Sequence, residues 1–114
     1  MRGSSRVVAE PRGSAHLFAA LGDTMRLRLV ARLCDSGPMS ISRLTAGSKV
    51  TRQAITKHLH VMEDAGLVHS TRRGRESIWV LERRRLREAR RHLDLISKQW
   101  DDALGRLKAA VEAD

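Results

Sequence analysis

Between Thr51 and His60 the chain reads T-R-Q-A-I-T-K-H-L-H. Arg52, Gln53, Thr56, Lys57 and His60 crowd a guanidinium, an amide, a hydroxyl, an ammonium and an imidazole into one short segment. Those groups match the edges that base pairs present in a major groove. Arg or Lys bonds guanine, Gln bonds adenine, and apolar carbon meets the thymine methyl. Thr51 opens the segment, where the free N–H groups and dipole of a helix N-terminus attract a phosphate. Its expected task is positioning, not discrimination. This chemistry requires that a helix hold these groups on one side while Ile55, Leu59 and Met62 face a core on the other.

The neighbouring sequence supplies such a scaffold. A-H-L-F-A-A-L-G-D, from about Ser14, predicts a short helix with Leu17, Phe18 and Leu21 inward and a break at Gly22. Asp23 is a suitable N-cap for T-M-R-L-R-L-V-A-R-L-C, in which Met25, Leu29, Val30, Leu33 and Cys34 recur at helical spacing. S-G-P at 36–38 ends that helix, and Ser40 can cap another, I-S-R-L-T-A, closed by Gly47. Only G-S-K-V then precedes the opening segment. Two short helices that close together have the spacing of a helix-turn-helix, with Ala54 small at the crossing and Val50 beside the apolar wedge.

After Gly66 the pattern alternates. L-V-H-S-T and S-I-W-V-L flank R-R-G-R-E, a β-hairpin whose tip carries Arg72, Arg73 and Arg75. A helix-turn-helix followed by a basic hairpin predicts a winged helix, with the arginines over the adjacent minor groove or backbone.

From about residue 82 to 113 the chain changes character. Leu86, Leu93, Trp100 and Leu107 form one line of a seven-residue repeat, and Ala89, Ile96, Ala103 and Ala110 the other. Leu104 and Val111 widen the seam. Such a helix would be ~45 Å long, more than a core of this size can cover, so a partner copy is the economical cover. Trp100 is expected to anchor that interface. The basic start of this helix, E-R-R-R-L-R-E-A-R-R-H, suits either DNA phosphates or a solvated face.

These segments together carry a resemblance. F-A-A-L-G-D-T-M-R-L-R-L-V-A-R-L, I-S-R-L, T-R-Q-A-I-T-K-H-L-H-V-M-E-D-A-G-L-V and R-R-G-R-E-S-I-W-V-L resemble, from about Ala15 onward, the ArsR/SmtB-type winged-helix repressors. Q-W-D-D-A-L-G-R-L resembles the branch of that family lacking known metal ligands. The resemblance implies a cytoplasmic homodimer that represses by occupying an operator, with the first and last helices at the dimer interface. Leu17, Phe18, Leu86, Ala89, Leu93, Ile96, Trp100, Ala103 and Leu107 are the expected contacts. One departure is Asp23-Thr24-Met25-Arg26, where the family has Asp-Pro-Thr-Arg.

Composition bounds the remaining possibilities. The 114 residues can bury one modest core, so the expected organisation is a disordered leader at 1–13 and one mainly α domain at 14–114. A net charge of +9 points toward a polyanion, and 3% aromatic residues leave little to stack unpaired RNA bases. No apolar run reaches the ~20 residues of a membrane span, and no secretory h-region is present, so the expected partners are double-stranded DNA and self, without membrane. A single cysteine fits a reducing compartment.

Metal sensing by thiolates would need cysteines in I-S-R-L-T-A, which has none. The last helix offers His92 and Asp94 without a second His, and His16, His58, His60 and His69 are scattered. Cys34 falls on an apolar stripe, where a thiol is usually an inert hydrophobe. No phosphate loop or nucleophile-base pairing suggests catalysis. The expectation is no enzyme, no metal and no cofactor; the effector is unknown. Two other readings stand beside it, a thiol- or metal-responsive repressor of the same fold and a helical protein-interaction module.

Overall fold

The computed structural model describes residues 11–113. In chain order, the elements are α1 (Pro11–Leu21), α2 (Thr24–Ser36), β1 (Met39–Ser40), α3 (Ile41–Thr45), α4 (Arg52–Asp64), β2 (Val68–Arg73), β3 (Glu76–Leu81) and α5 (Arg83–Ala113). Helix α1 starts three residues before the expected boundary at Ser14, so residues 11–13 of the supposed leader are helical. Proline at the first helical position lacks only an N–H that would be unpaired there anyway. The rest of the leader, residues 1–10, lies outside the described residues.

Local chemistry sets the helix ends. The Asp23 carboxylate accepts from the N–H of Arg26 at 3.0 Å and caps α2. Ser40 Oγ accepts from Arg43 N at 3.2 Å and Thr51 Oγ1 from Ala54 N at 3.1 Å, which start α3 and α4. Each hydroxyl satisfies one N–H that the first turn leaves open. At the far end of α4, Gly66 adopts φ +77, a left-handed turn that swings the chain directly into β2.

The sheet is three-stranded and antiparallel, in the order β1-β3-β2. The hairpin strands run further toward the tip than alternation suggested, because Arg72 and Arg73 pair with Ser77 and Glu76 inside the ladder. Only Gly74 and Arg75 remain in the turn. Gly74 has φ +64, and among the described residues no non-glycine residue, Arg75 included, has a positive φ, the pattern of a type II′ turn. Strand β1 was invisible in the sequence. Two residues, Met39 opposite Trp79 and Ser40 opposite Ile78, are too few to show any periodicity.

The core gathers Leu29 and Leu33 of α2, Leu44 of α3, Ile55, Leu59 and Met62 of α4, and Trp79 of β3. Helices α3 and α4 form the helix-turn-helix, and β2 and β3 the wing. Four placements differ from expectation. Leu17 and Ala89, expected between two copies, are 1% and 6% exposed inside the single chain's own core, and Leu86 is half-buried against it. The reason is geometric: α1 crosses the start of α5, where the Phe18 ring stands 5.8 Å from His92, so the first turns of α5 are covered from within the chain. Cys34 is exposed, not part of the apolar stripe. It sits ~120° around the helix from the midpoint of Leu29 and Leu33, at 100° per residue.

Beyond these turns α5 leaves the core. Leu93, Ile96, Trp100, Leu104, Leu107 and Val111 are all exposed, Trp100 at 65%. No helix of the described residues is long and apolar enough to cross a membrane.

Candidate nucleic-acid interface

The helix-turn-helix is held at three places before the outer face of α4 is considered. Arg26, from the first turn of α2, donates to the carbonyls of Ala19 and Ala20 at the end of α1, and its Nη1 lies 3.2 Å from Nδ1 of His58 on α4. Arg32 donates to Leu44 O at 2.8 Å and Arg43 O at 3.1 Å, closing the end of α3. Arg85, at the start of α5, donates from Nε to Ala65 O at 2.9 Å, just past α4, and pairs with Glu88 at 2.7 Å. Each guanidinium therefore sits at a helix C-terminus, where carbonyls lack partners and the dipole favours a cation. Sequence reasoning missed all three. An arginine that clamps a carbonyl has no spacing signature, because its partner is backbone of another element.

With α4 fixed, Ile55, Leu59 and Met62 are buried and Arg52, Gln53 and Lys57 stand exposed. At 100° per residue, Gln53 and Lys57 point almost directly away from that buried trio, with Arg52 to one side. Charge is divided along the axis. Arg52 and Lys57 lie toward the N-terminal end, whereas Glu63 and Asp64 close the helix. A phosphate backbone is attracted to the first half and repelled by the last turn.

Two predicted side chains are engaged differently from their neighbours. Thr56 donates its hydroxyl to Arg52 O at 2.8 Å, which occupies its proton and leaves the methyl and a lone pair for a ligand. His60 is exposed but turned toward the wing. Its ring meets Trp79 edge-on at 5.8 Å, and its Nδ1 is 3.2 Å from Glu63. It braces α4 against β3. Thr51 keeps its own hydroxyl proton free while its oxygen caps the helix. His58 faces Arg26 and, at 3.8 Å, Asp23.

The acidity of Asp23 is shifted by its surroundings. The backbone N–H of Arg26, which its carboxylate accepts, lowers its pKa below the ordinary aspartate value, and the Arg26 charge and His58 act the same way.

Arg72, Arg73 and Arg75 are all exposed at or next to the wing turn, on the hairpin that follows α4. Helix α4 meets the hairpin through His60 and Trp79, and the wing turn carries the arginines. Among the described residues, no three His, Cys, Asp or Glu side chains stand together as metal ligands.

Known proteins share this architecture. A family model described as a helix-turn-helix domain matches residues 21–71. An uncharacterized HTH-type transcriptional regulator of Bacillus subtilis (strain 168), YuzN, is 39% identical over 70 residues, covering 56% of this chain and 76% of the relative. The arsenical resistance operon repressor of the same strain is 33% identical over 64 residues, covering 56% of this chain and 61% of that protein. Among solved structures, an ArsR-like transcriptional regulator from Rhodococcus sp. RHA1 superposes with a TM-score of 0.75 at 35% identity, covering 85% of this chain and 91% of that one. An exposed reading helix on a helix-turn-helix, a basic wing beside it and these relatives converge. The chain belongs to the ArsR family of winged-helix, DNA-binding transcriptional regulators and is not an enzyme.

Proposed function

We propose that two copies of this chain pair along α5 and repress transcription by occupying a palindromic operator. One observation carries the reading: Arg52, Gln53 and Lys57 stand exposed on the side of α4 away from its buried Ile55, Leu59 and Met62. In this reading the N-terminal half of α4 enters the major groove, with Gln53 and Lys57 at base edges and Arg52 beside them. Thr51 holds a phosphate, Thr56 offers its methyl to thymine, and Arg72, Arg73 and Arg75 grip the flanking backbone. His60 lies at the margin.

Pairing is supported by the uncovered stripe of α5. Leu93, Ile96, Trp100 and Leu107, with Ala103 between, would each lose contact with water, and full burial of a large apolar side chain contributes roughly 1.5–3 kcal/mol. Phe18, half-buried beside His92, borders the same region. Two-fold pairing matches a palindromic site. Repression is supported by the similarity to the arsenical resistance operon repressor. A mode of action without metal is supported by the scatter of ligands, since among the described residues no three His, Cys, Asp or Glu side chains stand together. A DNA partner supports a cytoplasmic location.

Selection from a pool of randomised duplexes tests this. The expected product is a palindrome with half-sites about one helical turn apart, ~34 Å. Gln53→Ala and Lys57→Ala should each weaken that site by ~1–3 kcal/mol and relax preference at one position. A pool that keeps no consensus after selection would instead favour a protein-interaction module that uses α5 alone.

A further inference from the structure

The positive charge of this chain is not where base reading occurs. Helix α4 carries Arg52 and Lys57 against Glu63 and Asp64 and is formally neutral. Residues 83–91 carry six arginines against one glutamate, a net +5 of the chain's +9. Arg85 of these is committed to Glu88 and to the end of α4. Arg83, Arg87, Arg90 and Arg91 are exposed, and among the described residues none of them makes a hydrogen bond or ion pair.

Their spacing is unfavourable for the helix by itself. Arg83 with Arg87, and Arg87 with Arg91, are like charges four residues apart, and they sit in the first turns of α5, where the dipole disfavours cations. No acidic residue lies in that first turn. At 100° per residue the four fall within ~100° of one another, roughly opposite Ala89, Trp100 and Leu107. Pairing of two copies through the apolar stripe therefore leaves them uncovered.

The arginine stripe follows the wing in the chain. Strand β3 ends at Leu81, Glu82 follows, and α5 begins at Arg83. From the wing turn to Glu82 is ~20 Å of strand, and the arginines extend ~12 Å further along the helix. Arg83 to Arg91 thus form a second basic patch on the body, separated from Arg73 and Arg75 at the tip by a strand that carries Glu76 and, just past its end, Glu82, and no Lys or Arg.

We infer that Arg83, Arg87, Arg90 and Arg91 form a second DNA contact surface, which binds the backbone of the duplex flanking the operator outside each wing. Duplex phosphate is the occupant because this patch holds more than half of the net positive charge of a DNA-binding regulator and because arginine matches phosphate without reading sequence. The inference rests on operator binding by α4 and the wing.

The test uses the full chain and two duplexes. One ends at the edges of the selected site, and the other extends it by about one and a half helical turns on each side. Affinity is measured against salt for wild type and for R83Q/R87Q/R90Q/R91Q. Wild type should bind the longer duplex roughly tenfold more tightly at low salt, with a steeper salt slope by ~0.9 for each added phosphate contact. The quadruple variant should lose that gain while binding the short duplex as wild type does. Equal slopes on both duplexes for wild type overturn the inference, as does a variant weakened equally on both. Anionic phospholipid vesicles serve as a third arm. Capture of wild type by vesicles, together with no gain from the longer duplex, would assign the stripe to membrane and overturn the DNA reading. Absence of any selected site defeats the operator reading itself, so the two failures are distinguishable. Wild type alone on the two duplexes decides the question even if the variant folds poorly.

Discussion

Nη1 of Arg26 lies 3.2 Å from Nδ1 of His58, joining the first turn of α2 to the middle of α4 across 32 positions of sequence. The same guanidinium holds Ala19 and Ala20 at the end of α1. One side chain thereby sets the orientation of the reading helix against two others. Arg26→Ala should cost ~1.5–3 kcal/mol in urea denaturation, the range for hydrogen bonds to a charged group. Arg26→Lys should recover only part, since a single ammonium cannot reproduce the fork. Unchanged stability in the alanine variant would remove the clamp.

Acid titrates the cap beside it. The pKa of Asp23 is lower in the folded chain than in the unfolded one, so its contribution is complete above the ordinary carboxylate range and is lost as the pH falls below roughly 4. Asp23→Asn supplies a capping oxygen that does not titrate. Thermal melts at successive pH values should show wild type losing stability faster than Asp23→Asn below that range. Parallel curves would mean that the cap carboxylate does not couple to folding.

Leu17 and Trp100 should separate folding from pairing. Leu17→Ala removes a side chain that is 1% exposed and should cost ~2–5 kcal/mol without altering how folded chains associate. Trp100→Asp should leave the single-chain core intact but halve the mass seen by light scattering. A Trp100→Asp protein that keeps the wild-type mass argues against the α5 interface.

The two glycines at turns predict unequal costs. Both Gly66 and Gly74 have positive φ, and a side chain in that region costs ~1–2 kcal/mol. A Cβ on Gly66 would also meet Arg85 Nε at 3.3 Å, whereas one on Gly74 meets nothing within 4 Å. Gly66→Ala should therefore be the more destabilising in chemical denaturation. The reverse order would show that Arg85 yields freely.

Much of the fold was legible because the signals were local. Asp23 and Ser40 cap the helices they precede, as spacing and residue type predicted, while Thr51, expected at a phosphate, also caps α4, and Gly66 turns the chain after it. The alternation around Arg72–Arg75 predicted the hairpin, though not how far the ladder extends toward its tip. Of the expected reading face, Arg52, Gln53 and Lys57 are exposed as required, but Thr56 donates back to its own helix and His60 leans on Trp79. Neither choice could be read from residue type, since each depends on which partner stands nearest in space.

The sequence by itself determined the elements, their caps, the apolar side of each helix and the excess of positive charge, because these depend on neighbours within a turn or two. Tertiary structure alone decided that Leu17 and Ala89 belong to the chain's own core, that Cys34 faces water, that two residues at Met39 and Ser40 complete the sheet, and that Arg26, Arg32 and Arg85 are clamps. Those outcomes turn on which helix end meets which side chain across long separations, and a one-dimensional pattern contains no distances between elements.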